Sequence, residues 1–323
     1  MLVYRGFLQA ASGPTVLTIG NFDGVHLGHR SLLARLKAIA ARDHLLPAVL
    51  TFEPHPREFF APESAPARLS TLREKLELIA DEGVALTWVS HFNARLAALS
   101  AEKFVEHILI DTLCVKHLII GDDFRFGAGR RGNFALLREA GERHGFQVEA
   151  MDCVTLDGER ASSSAVRAAL AEGNMEHAAR LLGRPYAIDG RVVHGDKIGR
   201  QLGFATANIR IKHNKPPLLG VFAVEVKGIK GPDAPPLKGV ANLGFRPSID
   251  ETLQPLLEVH LFDFAGDLYG THLNVRFLHK LRNEMKFPNF DALKAQIALD
   301  VSNAKSFFTA KTQRREGRKE SAD

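Results

Sequence analysis

The chain has 323 residues, of which 45% are hydrophobic and 24% charged, and its formal net charge is +5 at pH 7. This length and composition predict a soluble globular protein of two domains, and no apolar run approaches the roughly 20 residues of a membrane helix. The first residues lack the apolar segment of a signal peptide, and only Cys114 and Cys153 could pair, so we expect a cytoplasmic protein without a disulfide framework.

The first half of the chain alternates between strand-like and helix-like segments. Apolar β-type runs predict strands at 15–20, 46–52, 85–90, 116–121 and 147–151. Helical periodicity predicts helices near 29–42, 70–82, 100–112, 133–144, 163–171 and 174–182. This alternation is typical of an α/β fold, a Rossmann-like parallel sheet covered by helices. Ligands of such sheets bind beyond the carboxyl ends of the strands.

A turn follows the strand at 15–20 and leads directly into a helix. His26 and His29 bracket Gly28 at the start of that helix. Helix N-termini present unpaired N–H groups and a partial positive charge, which suit phosphate, and imidazoles there add further donors. Gly28 would let a phosphate approach the backbone. We therefore expect a nucleoside triphosphate site, in which Asn21 and Asp23 position ribose, phosphate or metal, unless Asp23 only closes the turn.

A second polar group precedes the helix predicted at 163–171. Ser162, Ser163 and Ser164 are residues favoured as helix N-caps, and capping is compatible with phosphate binding at the same terminus. Arg167, on the first turns, could reach a triphosphate as a forked donor.

The pattern changes after Gly183. Short alternating segments punctuated by Gly and Pro predict an antiparallel barrel, with strands at Ala187–Val193, Val221–Val226, Leu256–Phe264 and Leu273–Leu281. A last helix is predicted over 291–308, with Leu293, Ile297 and Val301 on its buried face. We place the domains at 1–183 and 184–310. The basic segment 311–323 has no apolar face and is expected to be a disordered tail that binds no nucleic acid.

Motifs in both halves resemble one family. They are Gly20–His29, Phe52–Pro56, Gly121–Gly127 and Ser162–Arg167, then Gly199-Arg200, Gly203–Asn208, Gly239–Ser248 and Glu258–Phe262. In this order they are similar to the bacterial bifunctional riboflavin kinase/FAD synthetase family. The resemblance implies a C-terminal domain that phosphorylates riboflavin with ATP to FMN. It also implies an N-terminal domain that adenylylates FMN with ATP, giving FAD and pyrophosphate.

For the N-terminal site, the resemblance supports His26 and His29 as catalytic ligands of the ATP phosphates. It implies that Phe52, His55 and Pro56 bind FMN. The remaining residues expected to bind ATP are Asn21, Asp23, Asp123, Ser162, Ser163, Ser164 and Arg167.

For the C-terminal site, the resemblance implies that Gly199, Arg200 and Gly203 wrap ATP, while Thr206 and Asn208 also hold Mg²⁺. Glu258 is the expected general base, and because it alternates with His260 and Phe262 we expect its side chain to point into the barrel. The flavin-binding residues implied are Asn242, Arg246, Arg282, Glu284 and Phe287.

The chain departs from the family pattern at a few positions. Ala205 stands where the family has proline, so the loop that presents Thr206 should be less preorganised for Mg-ATP, without loss of activity. Ser164 and Ser248 stand where threonine is usual, and Val166 where isoleucine is usual. These milder changes keep a hydroxyl or a branched core contact.

Three alternatives remain open. The paired histidines also fit a nucleotidyltransferase with another acceptor, although such proteins would lack the Gly203–Asn208 loop. They fit a class I aminoacyl-tRNA synthetase fragment, although no Lys-Met-Ser-Lys-Ser-like segment occurs. Ala205 favours a protein that senses flavin without phosphorylating it. No membrane partner is expected, and the sequence does not decide whether the chain self-associates.

Overall fold

The computed structural model describes residues 1–121, 123–195, 199, 203–211, 215–231, 234–247 and 253–320. The chain forms two compact units, the first comprising Met1–Pro66 and Ser70–Ser163, the second comprising Ala67–Leu69 and Ser164–Asp323. Among the described residues no helix is long and apolar enough to cross a membrane.

The first unit is built on a six-stranded parallel sheet with the strand order β1-β4-β3-β2-β5-β6. Each strand predicted in this half is present. A further edge strand, β1, was not predicted. The main strands are β1 (Leu2–Arg5), β2 (Thr15–Ile19), β3 (Leu46–Glu53), β4 (Leu86–His91), β5 (Val115–Gly121) and β6 (Gln147–Met151). A small hairpin adds β7 (Thr155–Leu156) and β8 (Glu159–Arg160).

Helices cover both faces of this sheet. They are α1 (Leu27–Asp43), α2 (Pro56–Phe60), α3 (Leu72–Asp81), α4 (Ala94–Ala97), α5 (Ala101–Lys103), which continues as a π-helix over Phe104–Thr112, and α6 (Phe134–His144). Helix α1 has a buried apolar face that includes Leu33, Leu36 and Ile39. On one face of the sheet Val16 and Ile119 pack under α1, and on the other Leu17 and Leu118 join a larger cluster. Because β2 lies between β3 and β5 in this parallel sheet, the carboxyl ends of these three strands lie side by side.

The second unit begins with two helices and continues as a closed antiparallel barrel. Its elements are α7 (Ser163–Glu172), α8 (Met175–Leu182), β9 (Ala187–Val193), β10 (Ala207–Arg210), β11 (Gly220–Lys227), β12 (Leu237–Pro247), β13 (Leu253–Leu261), β14 (His272–Arg282) and α9 (Phe290–Glu320). Around the barrel the order is β10-β13-β12-β11-β14-β9. The predicted barrel is confirmed, although β10 and β12 were not predicted.

Alternation along the barrel strands separates an inner face from a face covered by α9. Phe222, Leu257 and Phe277 are at most 1% exposed and fill the barrel. Residues of the opposite face, Val221, Ala223, Val240 and Phe262, form a cluster with Ala304 and Phe308 of α9. A helix cannot enter a six-stranded barrel already filled with side chains, so this second face is the outer one.

Two boundaries differ from the sequence expectation. The compact units divide after Ser163 and not after Gly183, because α8 packs against β14 and Lys280 lies against Gly173 at the end of α7. The last helix continues to Glu320, so residues 311–320 are helical where a disordered tail was expected. Lys, Arg, Glu and Gln are good helix formers, and they can extend an anchored helix without an apolar face.

Candidate functional sites

The paired histidines lie where the sequence predicts them. His26 is the N-cap residue of α1, with φ −75° and ψ 174°, and His29 lies in the first turn. Their rings stack with centroids 3.7 Å apart, and the ring of Phe22 lies 4.9 Å from that of His29. Phe22 is fully buried, and its ring packs against the ring of His29. Two imidazoles are therefore held together at a helix N-terminus, an arrangement suited to binding phosphate.

Gly28 is closely packed against other parts of the chain. A Cβ added there would lie 3.1 Å from the carbonyl oxygen of Ala161 and 3.1 Å from the ring of His26. The glycine therefore allows the chain at Ala161 to pass close to the start of α1. Close approach of a ligand, which was the expected reason, stays a prediction.

Asp23 closes the loop that precedes α1. Its side chain is 4% exposed, and its Oδ1 accepts hydrogen bonds from the N–H of Ser70 at 3.1 Å and from the hydroxyl of Ser70 at 3.3 Å. The Asp23 carbonyl accepts a bond of 2.9 Å from the Ser163 hydroxyl. Of the two roles left open for Asp23, these contacts support the structural one.

The other expected ATP-binding residues occupy several places. Asn21 lies in the same loop, and its Oδ1 is buried without a hydrogen-bond partner among the described residues. Asp123 follows β5, next to β2 in the sheet, and pairs with Arg160 at 3.4 Å. Ser162 immediately precedes α7. Ser164 and Arg167 belong to the second unit, where the Arg167 Nε donates to the carbonyl of Ala67.

Aromatic rings gather beyond the carboxyl ends of β3 and β4. Phe92 has ring contacts with Phe52 at 5.8 Å, Phe59 at 5.6 Å and Phe60 at 5.6 Å. Phe60 is 67% exposed. We call these four residues the aromatic cluster; only Phe52 was singled out from the sequence. The cluster offers an exposed surface against which a planar ring could stack.

His55 and Pro56 form the start of α2 beside this cluster. The His55 ring accepts a bond from the N–H of Arg57, and Glu58 accepts one from the N–H of His55, which makes a capping box. Pro56 occupies the first helical position. His55 thus has a capping role that the sequence did not reveal.

The barrel unit has a cavity of about 260 Å³ between its outer face and α9. Of the residues expected at the kinase site, Gly199, Thr206, Asn242, Glu258, Arg282, Glu284 and Phe287 line it. Phe204, His260 and, from α9, Leu293, Ile297 and Asp300 line it as well. Arg200 and the side chain of Arg246 lie outside the described part of the chain.

The barrel register explains why these polar residues meet. Asn208 pairs with Glu258, Glu258 with Asn242, Asn242 with Val221 and Val221 with Arg282, each on the neighbouring strand. Paired residues of antiparallel strands point to the same face, and Val221 belongs to the face covered by α9. Glu258 therefore faces outward beneath α9, and the expectation that it points into the barrel is wrong.

A short loop brings Thr206 to the same cavity. Phe204 donates from its N–H to the carbonyl of Gly199 at 2.7 Å, and a Cβ on Gly199 would lie 3.2 Å from the Thr206 Oγ1. Nδ1 of His260 lies 2.9 Å from the carbonyl oxygen of Ala205. This hydrogen bond holds the loop at the residue where a proline was expected.

Asn208 lies deeper than Thr206. It is 7% exposed, and its Oδ1 is buried without a hydrogen-bond partner within the described ranges. Gly195 packs directly against its amide. Gly203 has φ +90°, a conformation that favours glycine, and it is not among the cavity-lining residues.

Two acidic side chains on the cavity have distinct surroundings. The carboxylate of Glu284 packs against Gly244, where any Cβ would overlap it. Burial raises the pKa of Glu284, as does the charge of Glu258, while Arg282 acts against both. Asp300 is 3% exposed and accepts from Nη2 of Arg282 at 2.8 Å. Part of the Arg282 guanidinium is therefore already hydrogen-bonded to another side chain of the protein.

The structure has two compact units, with paired histidines at a helix N-terminus in the parallel-sheet unit and an acidic, polar cavity on the barrel. Comparison with known proteins agrees. Residues 8–165 match the family model for FAD synthetase, and residues 182–308 match that for riboflavin kinase.

The relatives are similar over nearly their whole length. The bifunctional riboflavin kinase/FMN adenylyltransferase of Escherichia coli K12 is 49% identical over 311 residues, covering 95% of this chain and 98% of the relative. That of Haemophilus influenzae is 50% identical over 294 residues, covering 91% and 94%. The chain belongs to the bifunctional riboflavin kinase/FMN adenylyltransferase family.

A solved structure has the same overall fold. It is described as a macrolide-efflux protein from Streptococcus pneumoniae, with a TM-score of 0.81 and 26% sequence identity, and it covers 94% of this chain and 99% of that one.

Proposed function

We propose that this chain makes both flavin cofactors in sequence: it phosphorylates riboflavin with ATP in the barrel unit, then adenylylates FMN with ATP in the sheet unit. The observation that carries the proposal is the match of each unit to one of the two family models, in the same order as in the bifunctional relatives. Riboflavin, FMN and ATP are then the substrates, and FAD and pyrophosphate the final products.

In the kinase reaction Glu258 acts as the general base. It takes the proton of the riboflavin 5′-hydroxyl while that oxygen attacks the γ-phosphorus of ATP, and the bond to the bridging oxygen breaks to release ADP. The position of Glu258 supports this role. It lines the cavity and pairs in register with Asn208 on one neighbouring strand and with Asn242 on the other. These three adjacent side chains would bring the acceptor hydroxyl and the phosphate of ATP together.

Thr206 and Asn208 would hold a magnesium ion. Their side chains offer neutral oxygen atoms, which Mg²⁺ accepts as ligands, and the buried Oδ1 of Asn208 has no other hydrogen-bond partner among the described residues. The ion supplies charge neutralisation for the phosphates of ATP. Gly199 and Gly203 would belong to the loop that wraps ATP, as the resemblance implies, with Asn242, Glu284 and Phe287 on the flavin side of the cavity. Arg200 and Arg246 keep their proposed roles from the resemblance alone.

In the adenylyltransferase reaction a phosphate oxygen of FMN attacks the α-phosphorus of ATP, and the α–β bridge breaks to release pyrophosphate. His26 and His29 stabilise negative charge on the phosphates, supported by their position at the N-terminus of α1. Asn21, Asp123, Ser162 and Ser163 would complete ATP binding in this unit. Ser164 and Arg167 keep their proposed roles in ATP binding from the resemblance alone. Asp23 would contribute by fixing the loop.

The aromatic cluster, with His55 and Pro56, would bind FMN for this second reaction. Its rings lie beyond the strand ends where ligands of parallel sheets bind, and their exposed edges suit an isoalloxazine ring.

We also propose a cytoplasmic location, since Cys114 and Cys153 are free. Cys114 is partly buried and Cys153 is exposed.

The product profile tests the proposal. Purified protein is incubated with riboflavin and Mg-ATP, with and without added FMN, and the flavins are separated by chromatography. FMN and FAD formed from riboflavin alone are the expected result, with both lost when EDTA replaces magnesium. FAD formed only when FMN is supplied would indicate a barrel that binds flavin without phosphorylating it. FMN without FAD would remove the role of the sheet unit.

A further inference from the structure

Asp300, on α9, forms an ion pair with Arg282 at the barrel cavity, held by several hydrogen bonds. Its carboxylate accepts from Nε of Arg282 at 2.9 and 3.1 Å and from Nη2 at 2.8 Å. Gln296, one helical turn earlier, donates to the same carboxylate at 2.9 Å. The Asp300 side chain is 5% exposed and that of Arg282 18%. The geometry is the forked, bidentate one that fixes a guanidinium in a single orientation.

The fixed guanidinium in turn holds the segment that follows β14. Its Nη1 donates to the carbonyl of Asn283 at 2.9 Å, and its Cζ lies 5.7 Å from the ring centroid of Phe287. Residues 283–289 form neither helix nor strand and connect β14 to α9. We call this segment the strap. Without regular hydrogen bonding, its conformation depends on contacts such as these.

The strap carries part of the cavity wall. Glu284, Met285 and Phe287 all line the cavity, and the Glu284 carboxylate packs against Gly244 of β12. A shift of the strap would displace these side chains together. It would leave Glu258, Asn208 and Thr206 in place, because those residues belong to other strands or to the loop before β10.

Stability alone does not account for a buried pair of this kind. Replacing such a pair by apolar residues of similar volume is often neutral or stabilising, whereas orientation depends on the charged fork itself. Of the Arg282 donors, Nε and Nη2 point to Asp300 and Nη1 to the backbone. The resemblance implied flavin binding by Arg282; these contacts favour an indirect contribution.

We propose that Asp300 is a positioning residue for riboflavin. It orients Arg282, which holds the strap so that Glu284 and Phe287 face the flavin in the barrel cavity. This inference rests on the proposal that this cavity binds riboflavin. Asp300 makes no contribution to the transfer of the phosphoryl group itself, so its loss should affect binding of the flavin more than turnover.

The first test is the variant Asp300→Asn, which keeps the shape of the side chain but loses the charge and one acceptor oxygen. We expect the KM for riboflavin to rise about tenfold, as for loss of one charge-assisted hydrogen bond. The kcat should stay within about twofold, since no interaction special to the transition state is removed. Asp291→Asn, which removes the same charge from an exposed position of α9, is the matched control and should change neither constant.

A second variant separates positioning from folding. Arg282→Met combined with Asp300→Leu fills the same space with apolar side chains and should keep the melting temperature near that of the wild type. If Asp300 positions the strap, this stable double variant binds riboflavin about tenfold more weakly in a fluorescence titration without ATP. Wild-type affinity in the double variant, or an unchanged KM in folded Asp300→Asn, would overturn the inference. Absence of FMN formation by the wild type would instead refute the proposed function.

Discussion

Asn208 and Glu258 are direct register partners on the adjacent antiparallel strands β10 and β13. The pairing places the proposed metal ligand and the proposed base side by side on the barrel face covered by α9. Nucleotide phosphate and acceptor hydroxyl therefore need no large movement of the protein to meet. Both residues belong to the second unit, so the two reactions should be separable by mutation.

Glu258→Gln should abolish FMN formation and spare FMN-to-FAD conversion. Loss of a general base reduces the rate by about 100-fold or more, and Gln preserves the size of the side chain. Both activities are measured on the same preparation. Glu225→Gln, on β11 and paired with Lys311, is the control and should retain both. Equal loss of the two activities in Glu258→Gln would contradict the assignment.

His29→Ala should have the reverse effect. Removing one of the stacked imidazoles from the N-terminus of α1 should lower FAD synthesis from FMN by about 100-fold, through lost stabilisation of charge on the phosphates. FMN formation from riboflavin should continue. His144→Ala, at the exposed end of α6, serves as the comparison. Retained FAD synthesis in His29→Ala would remove the phosphate-binding role.

Asn208→Ala should raise the magnesium concentration that supports half-maximal FMN formation about tenfold or more, because a ligand of the ion is lost. Asn208→Asp keeps an oxygen at this position and should need less magnesium than the alanine variant. The measurement is a magnesium titration of kinase activity at saturating ATP. Identical magnesium dependence in all three proteins would exclude Asn208 as a ligand.

Phe60→Ala should weaken FMN binding for adenylylation. Phe60 is the most exposed ring of the aromatic cluster, and loss of ring stacking should raise the KM for FMN about three- to tenfold. Phe290→Ala removes a ring that is 62% exposed in the other unit, and it should leave this KM unchanged. A KM for FMN that is the same in both variants would show that the cluster does not bind the flavin.

His117 should make the stability of the sheet unit depend on pH. It lies on β5, and its Nε2 is 3.6 Å from the Glu149 carboxylate. Burial lowers the pKa of His117 below 6.5. The charges of Glu149 and Asp43 act to raise this pKa, whereas those of Arg42 and Arg35 act to lower it further. The unfolded chain thus binds more protons than the folded one below pH 6.5, so stability falls as the pH decreases from 6.5 through the folded pKa.

Urea unfolding between about pH 5 and 8 measures this effect. His117→Gln should lose less stability over the acidic part of this range than the wild type does. Glu149 and Asp43, whose pKa values are lowered by their arginine partners Arg35 and Arg42, titrate at lower pH. Parallel curves for the two proteins would show that His117 contributes no pH dependence.

The sequence predicted most elements of the fold because their signals are local. The junction between β2 and α1 joins an apolar strand, a glycine turn and a helical period, so the position of His26 and His29 could be predicted. β10 is only four residues long, and β12 contains Gly239 and Gly244, so neither showed a clear alternation.

Other features depend on contacts between distant residues. Alternation predicts that Glu258 and His260 share a face, but only the packing of α9 decides which face is inside. The aromatic cluster was missed because Phe92 joins it from another strand, 32 residues beyond Phe60 in sequence. Asp300 was missed for the same reason, since its partner Arg282 precedes it by 18 residues across the strap.

The interior of the barrel is filled with apolar side chains, and the residues proposed for the kinase reaction lie on its outer face. Phe222, Leu257 and Phe277 are buried in the barrel and do not line the cavity, whereas part of the cavity wall is supplied by α9 and the strap. Substitutions in that wall can consequently alter which compound is accepted while the scaffold stays folded. If this cavity binds the flavin, substitutions in α9 and the strap would reshape part of its wall without disturbing the buried barrel core.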